Sequence, residues 1–164
     1  MALAAPQPLT DHHALVGFSS GVAVLDDWLR RRALANQASG ASRTYVVTEG
    51  AVVCGYYALA SGAVASSPAT GRFRRNMPDP VPVAILGRLA IDRAFQQRGL
   101  GRALFADAAR RVLQAAETIG IRGLLVHAIS DDARDFYVAL GLEPSSLDPL
   151  TLMATLADMR SILG

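Results

Sequence analysis

The sequence predicts a single α/β domain built on a mixed β-sheet. Strand-like and helix-like segments alternate along its 164 residues, and no internal repeat, low-complexity tract or interdomain linker interrupts them. The chain is 51% hydrophobic and 18% charged, a composition that supports one packed core and argues against disorder. We therefore expect residues 1–164 to form one domain.

The first elements are a helix and a β-hairpin. Helical spacing of Leu25, Trp28, Leu29 and Ala33 predicts a helix that begins after Ser20. The hairpin follows with strands over 44–48 and 52–60, which are rich in valine and tyrosine and are joined by a Glu-Gly turn.

The hairpin also contains the chain's one cysteine, Cys54. Its apolar surroundings, VVCGYYALA, predict a buried thiol and not a nucleophile or a metal ligand. Residues 66–82, punctuated by proline, glycine and asparagine, are predicted to form a loop.

The second half begins with a strand over 83–91, a glycine-containing loop and an amphipathic helix. The helix is predicted from one apolar stripe with two flanking residues: Leu100, Leu104, Ala108 and Val112, flanked by Phe105 and Ala116. The later elements are a strand over 123–128, a helix over 131–140 that ends at the C-cap Gly141, and a strand over 150–156.

The glycine-containing loop, QQRGLGRAL at 96–104, is the segment that points most directly to a ligand. A glycine-rich turn that opens a helix presents bare N–H groups and the positive end of the helix dipole, which together bind phosphate. A Rossmann fingerprint would need a third glycine where Leu104 stands, and a P-loop would need a lysine, which the chain lacks.

The remaining pattern, Gln/Arg-x-x-Gly-x-Gly/Ala, resembles the acetyl-CoA signature of the GNAT acetyltransferase superfamily. The resemblance implies the GNAT acyltransferase fold, an α/β structure with a mixed central sheet, a splayed cofactor-binding strand and helices on both faces. It implies acetyl-CoA as the cofactor, with its pyrophosphate on the loop amides and its pantetheine arm on the strand. The implied cofactor-binding residues are Leu89, Ala90 and Ile91 on the strand, and Gln96, Gln97, Arg98, Gly99, Leu100, Gly101 and Arg102 on the loop.

The resemblance also provides a catalytic acid. FYVALG at 136–141 is similar to the FYxxxGF element of this superfamily, although Leu142 replaces its phenylalanine. Tyr137 is thereby implied to protonate the departing thiolate, and general acid help of this kind is typically worth about 10²- to 10⁴-fold. A general base is not assigned: His127 is expected to be a core histidine, and Asp92 to terminate its strand. We expect no dedicated base, because an α-amine next to an ester has a lowered pKa.

A longer set of segments is similar to the GNAT toxins of type II toxin–antitoxin modules, the tRNA-acetylating toxins of the TacT kind. These segments are FSSGVAVLDDWL (18–29), QASGASRTYVV (37–47), GYYALASGAV (55–64), PVPVAILGRLAID (80–92), VHA (126–128) and FYVALGLEPSSLDPLTL (136–152). The resemblance implies transfer of acetyl to the α-amino group of the amino acid on charged tRNA, which blocks translation, with glycyl-tRNA a common target. It also implies a homodimer and a ribbon-helix-helix antitoxin that neutralises the toxin and through which the pair binds operator DNA.

The charge distribution suits a polyanionic partner. All 16 basic residues are arginine, and residues 1–130 carry an excess of six positive charges, whereas residues 131–164 carry an excess of four negative ones. Arginine forks bind phosphates bidentately. The predicted tRNA contacts are Arg72, Arg74, Arg75, Arg88 and Arg93, with Arg88 first, and Arg30–Arg32 are weaker candidates.

The sequence leaves two other functional classes open. One is a general GNAT acetyltransferase acting on a small amine or a protein N-terminus, and the other is a non-catalytic cofactor-binding module. The N-terminus lacks a basic segment before an apolar run, and no stretch approaches the length of a membrane span, so we expect a cytoplasmic protein. We also expect no metal site.

Overall fold

The computed structural model describes residues 3–164. Over this part of the chain the strands are β1 (Gln7–Pro8), β2 (Arg43–Glu49), β3 (Val52–Val64), β4 (Val81–Ile91), β5 (Gly123–His127), β6 (Glu143–Pro144) and β7 (Thr151–Thr155). The helices are α1 (Ala23–Arg31), α2 (Ala33–Ser39), α3 (Gly71–Arg74), α4 (Leu100–Ala115), α5 (Asp131–Leu140) and α6 (Leu156–Leu163), with a 3₁₀ turn at Arg93–Phe95.

The strands form one seven-stranded mixed sheet in the order β1-β2-β3-β4-β5-β7-β6. The hairpin β2–β3 is antiparallel, and its register places Tyr45 opposite Tyr57. Strands β4 and β5 run parallel, with a ladder that pairs Ala84 to Leu86 with Leu124 to Val126. The mixed α/β sheet that the sequence predicts is therefore confirmed.

Contacts within the described chain group into two compact units. Unit 1 contains the residues up to Ala60 together with Gly87–Asp107, and unit 2 contains Ser61–Leu86 together with Ala108–Gly164. Each unit has a hydrophobic cluster of its own. No helix among residues 3–164 combines the length and the apolar character needed to cross a bilayer.

Unit 1 packs helices on both faces of its strands. Adjacent side chains of a strand point to opposite faces, and β3 shows this at Gly55 and Tyr56. Tyr56 lies in the cluster with Leu25 and Leu29 of α1. At Gly55 a Cβ would lie 3.1 Å from Leu104 of α4, so the glycine allows that helix to approach the sheet closely.

Unit 2 has its core between α3, the first half of β4 and the β5–β7 pair. Phe73, Val81, Leu125 and Met153 are each 2% exposed or less and belong to one cluster. Helix α5 ends at Gly141, whose φ of 114° is left-handed as the sequence predicts for a C-cap.

Several elements differ from the sequence prediction. The first helix breaks at Arg32 and continues as α2, and β3 extends four residues beyond Ala60. The predicted 66–82 loop contains α3, which Thr70 caps through the Phe73 amide. Helix α6 was not predicted, although its capping box is readable in the sequence as Thr155-x-x-Asp158.

Candidate active site

The glycine loop contains two residues with left-handed backbone angles. Gln97 (φ 62°) and Gly99 (φ 78°) both adopt the left-handed region, and α4 begins at Leu100. A Cβ at Gly99 would meet nothing within 4 Å, so the backbone angle and not the available space explains a glycine there. The residues of 96–99 are exposed.

Polar side chains fix the base of this loop. The Gln96 amide nitrogen donates to the carbonyls of Ser20 (2.8 Å) and Ile91 (2.9 Å). The Asp92 carboxylate accepts from the amides of Ser19 (3.0 Å) and Ala94 (2.9 Å). The loop is therefore positioned before any ligand arrives, and Asp92 acts as a cap, consistent with its expected role at the strand end.

The N-terminus of α4 offers free hydrogen-bond donors. The Ala103 amide donates to the Gly99 carbonyl at 3.1 Å, which starts the helical series. The preceding amides, at Leu100, Gly101 and Arg102, have no carbonyl one turn earlier to bind. These donors at the positive end of a 16-residue helix, beside an exposed loop, suit a diphosphate.

The end of β4 presents alternate residues to opposite sides. Ala90 is 4% exposed and lies in the α1-side cluster. Ile91 lies on the other side, where its Cδ1 is 3.0 Å from the Cβ position of Gly55. The β4–β5 ladder ends at Leu86, before this end of β4. The cofactor contacts implied for Leu89, Ala90 and Ile91 stay a prediction.

Arg88 lies on an aromatic stack. Its guanidinium carbon is 4.4 Å from the centre of the Trp28 ring, and Trp28 stacks on Tyr56 at 6.1 Å between ring centres. The Tyr56 hydroxyl donates to the Leu25 carbonyl at 2.6 Å. The orientation of Arg88 is thus set by cation–π contact, which the sequence pattern did not reveal because Trp28 and Arg88 are sixty residues apart.

A buried carboxylate holds the start of α1 in the same unit. Asp26 is 6% exposed and accepts from the backbone amide (3.0 Å) and the hydroxyl (2.6 Å) of Ser20. Gln96 binds the carbonyl of that same residue. Asp26 is not among the predicted site residues, and the sequence signal for it is a carboxylate on the apolar stripe of a predicted helix.

Tyr137 lies in α5 of unit 2 and is 6% exposed. Its ring meets Phe136 edge-on, with 5.1 Å between ring centres. Burial raises the pKa of its hydroxyl, so the phenol stays protonated at neutral pH.

The expectation that His127 is a core histidine is wrong. His127 is the last residue of β5 and is exposed, because it lies where the strand leaves the sheet. Its Nδ1 lies 3.1 Å from the Thr151 hydroxyl oxygen, and that hydroxyl donates to Asp148 at 2.7 Å. Cys54, by contrast, is fully buried as predicted, and burial raises the pKa of its thiol.

The predicted tRNA-binding arginines fall into two groups. Arg88 and Arg93 belong to unit 1, whereas Arg72, Arg74 and Arg75 belong to unit 2. Arg72 forms ion pairs with Asp158 and with Glu143 (3.9 Å), and Arg74 donates to the carbonyl of Ala69 (3.3 Å). Nucleic-acid contact by any of the five arginines stays a prediction.

An exposed glycine loop that opens a helix beside a mixed sheet suits a cofactor that carries a diphosphate. The family model for "Acetyltransferase (GNAT) family" matches residues 18–142. A tRNA-acetylating toxin from Mycobacterium tuberculosis (strain ATCC 25618 / H37Rv) is 53% identical over 160 residues, which cover 98% of this chain and 96% of the relative.

Solved structures agree with the sequence match. AtaT complexed with acetyl-methionyl-tRNAfMet superimposes with a TM-score of 0.89 at 27% identity, covering 99% of this chain and 100% of that one. A tyrosine-to-phenylalanine mutant of AtaT bound to acetyl-CoA and to the C-terminus of the antitoxin AtaR gives 0.84 at 27% identity, covering 99% and 98%.

This chain belongs to the GNAT acetyltransferase family. It is an acetyl-CoA-dependent acetyltransferase with the GNAT fold, as the loop signature predicts.

Proposed function

We propose that this protein is a toxin that acetylates the α-amino group of the amino acid carried by charged tRNA and so blocks translation. One observation carries the proposal: 53% identity, over nearly the whole length of both chains, to a tRNA-acetylating toxin. The AtaT structure with acetyl-methionyl-tRNAfMet supports the same class of acceptor.

Acetyl-CoA supplies the thioester whose acetyl group passes to the amine. The backbone amides of the exposed loop and of the first turn of α4 hold its pyrophosphate. Gln96 is a positioning residue for this loop, because its amide nitrogen donates hydrogen bonds to two backbone carbonyls. Leu89, Ala90 and Ile91 bind the pantetheine arm through their backbone groups.

Tyr137 is the catalytic acid. The neutral amine forms a bond to the acetyl carbon, the carbon–sulfur bond breaks, and the Tyr137 hydroxyl gives its proton to the thiolate sulfur. The amine releases its extra proton to solvent, and water reprotonates the phenolate. Burial raises the pKa of the Tyr137 hydroxyl, so the group carries the proton at neutral pH.

No side chain of this protein is required as a general base. The ester bond to tRNA lowers the pKa of the α-amine, so a substantial fraction is neutral near pH 7. Asp92 is engaged by two backbone amides. The exposed His127 is the one alternative that the structure favours, through its contact with Thr151. Loss of the chemical step in His127→Ala, with acetyl-CoA affinity retained, would show that a base is needed.

Arg88 is the first candidate for a contact to the tRNA end. The residue is half-buried and its guanidinium lies over the Trp28 ring, and a guanidinium can bind a nucleobase or a phosphate. Arg93, Arg72, Arg74 and Arg75 contribute further positive charge. Affinity for tRNA therefore falls steeply as salt rises, because each neutralised phosphate releases counterions.

The protein acts in the cytoplasm as one component of a toxin–antitoxin pair. The partner is a ribbon-helix-helix antitoxin, and the complex represses its own operon by binding DNA through the antitoxin. AtaT bound to the C-terminus of AtaR supports an antitoxin partner. The toxin forms a homodimer, and residues 1–164 act as one GNAT domain.

The test is direct transfer. Purified protein is incubated with labelled acetyl-CoA and total charged tRNA, and the released aminoacyl-adenosine is analysed by mass spectrometry. We expect acetyl on an α-amine, lost in Tyr137→Phe, and the mass identifies the amino acid. Transfer to free amines or to peptide N-termini without tRNA would instead establish a general acetyltransferase.

A further inference from the structure

A second basic site lies in unit 2, in a cavity of about 620 Å³. Four arginines line it, Arg72, Arg75, Arg122 and Arg160, and we call them the arginine basin. The residues between them are mainly apolar and include Met77, Ile121 and Leu156.

Arg122 is the lining arginine that the backbone holds in place. Its guanidinium donates to the carbonyls of Phe73 (2.8 Å) and Arg72 (2.7 Å). Its backbone amide donates to Pro82 at 2.8 Å, and its carbonyl accepts from Leu156 at 3.2 Å. These bonds fix the position of the guanidinium, and it forms no ion pair with a carboxylate within residues 3–164.

The arginines of the basin differ in whether a carboxylate neutralises their charge. Arg72 is paired with Asp158 and Glu143. Arg75 and Arg160 are exposed, and neither forms an ion pair with any residue of the described part of the chain. The N-terminus of α6 is closed by the Thr155–Asp158 capping box, so the arginines and not the helix supply the positive charge.

We propose that the arginine basin binds a nucleotide of the RNA substrate, with the phosphate on Arg75, Arg122 and Arg160 and the base over the apolar residues. Guanidinium forks match phosphate oxygens bidentately, and clefts with apolar walls focus a positive field. The volume suits one nucleotide. This inference rests on the proposed function for its choice of RNA over an acidic peptide.

The test compares two double variants that remove the same charge. Arg75→Gln with Arg160→Gln changes the basin, and Arg43→Gln with Arg110→Gln removes two exposed arginines outside it. The Kd for charged tRNA is measured without acetyl-CoA between 50 and 200 mM salt. We expect the basin variant to bind about tenfold more weakly and to lose about 1 to 2 from the slope of log K against log salt, whereas the control stays near the wild type.

The slopes of the two double variants show whether the basin binds tRNA. Equal slopes for the two double variants overturn it, and so does a wild type that does not bind tRNA. A basin variant that loses only binding of inorganic phosphate, or of a polyglutamate peptide, assigns the cavity to another anion. Because binding is measured apart from transfer, a wild type that binds tRNA through the basin but transfers no acetyl group refutes the proposed function alone.

Discussion

The two units of this protein use their polar side chains in different ways. In unit 1, Asp26, Asp92 and Gln96 bind backbone amides and carbonyls and hold segments that come from separate parts of the chain. In unit 2, Arg72 and Asp158 pair with each other near the surface, and Arg75, Arg122 and Arg160 form no ion pair with a carboxylate within residues 3–164.

The difference shows what each unit is organised to do. Gln96 and Asp92 fix the backbone at the base of the loop through carbonyls and amides outside the first turn of α4, so the amides of that turn stay available for a diphosphate. Charge that must attract a polyanion has to remain unneutralised and exposed. We therefore expect substitutions of Asp26, Asp92 or Gln96 to affect stability and cofactor affinity. Substitutions of the exposed arginines should affect RNA affinity, and those of Tyr137 the chemical step.

The largest expected effect is on chemistry. Tyr137→Phe removes the proposed acid, so we expect kcat for acetyl transfer to fall about 10²- to 10⁴-fold with the Kd for acetyl-CoA unchanged. Tyr45→Phe, which removes a phenol from β2, is the matched control. Comparable losses in both variants would assign the effect of Tyr137 to packing.

The pH profile sharpens this prediction. Because burial raises the pKa of Tyr137, the acid form persists as pH rises past the usual tyrosine value of about 10. We expect no fall of kcat between pH 8 and pH 10 from ionisation of this residue. An alkaline limb below pH 10 that is absent from the residual activity of Tyr137→Phe would contradict the assignment.

The next effect is on stability and separates two neighbouring carboxylates. Asp26→Ala leaves the Ser20 amide and hydroxyl without their acceptor, and we expect a loss of about 2 to 3 kcal/mol in the free energy of unfolding. Asp27→Ala removes an exposed pair with Arg30 and should change it by less than about 0.5 kcal/mol. Urea titrations of both variants measure the difference, and equal losses would refute the role given to Asp26.

A smaller effect is expected at the loop. Gln96→Ala removes two hydrogen bonds that position the proposed pyrophosphate site. At a net contribution of about 1 kcal/mol for each bond, we expect roughly 30-fold weaker acetyl-CoA binding. Gln114→Ala, at an exposed position of α4, is the control. Calorimetry of acetyl-CoA binding measures both, and an unchanged Kd in Gln96→Ala would show that the loop keeps its conformation without these bonds.

The smallest effect concerns acid stability in unit 2. Burial tends to raise the pKa of Asp158, but the Arg72 guanidinium and the Thr155 amide and hydroxyl outweigh it and hold that pKa below its usual range. A lowered pKa in the folded state gives stability that is complete above the unfolded value of about 3.9 and is lost as pH falls through the folded value. The difference in melting temperature between the wild type and Asp158→Asn should therefore vanish at acid pH. A difference that persists at pH 2 would be inconsistent with this pairing.

Local elements of the fold, which depend on residues close together in the chain, can be predicted from the sequence. The hairpin, the loop signature before α4 and the Gly141 C-cap were all readable, because strand alternation, helix periodicity and left-handed glycines are local properties. The family followed from the same segments, since the loop signature lies between a strand and an amphipathic helix.

The exposure of individual side chains and their contact partners depend on the tertiary structure. It exposed His127, placed Arg88 on Trp28, engaged Gln96 with Ser20 and gathered Arg75, Arg122 and Arg160 around one cavity. Each of these features joins residues that are far apart in the chain or depends on where a strand leaves the sheet. Local propensity carries no record of such contacts, because burial and partner choice are set by the packing of whole elements.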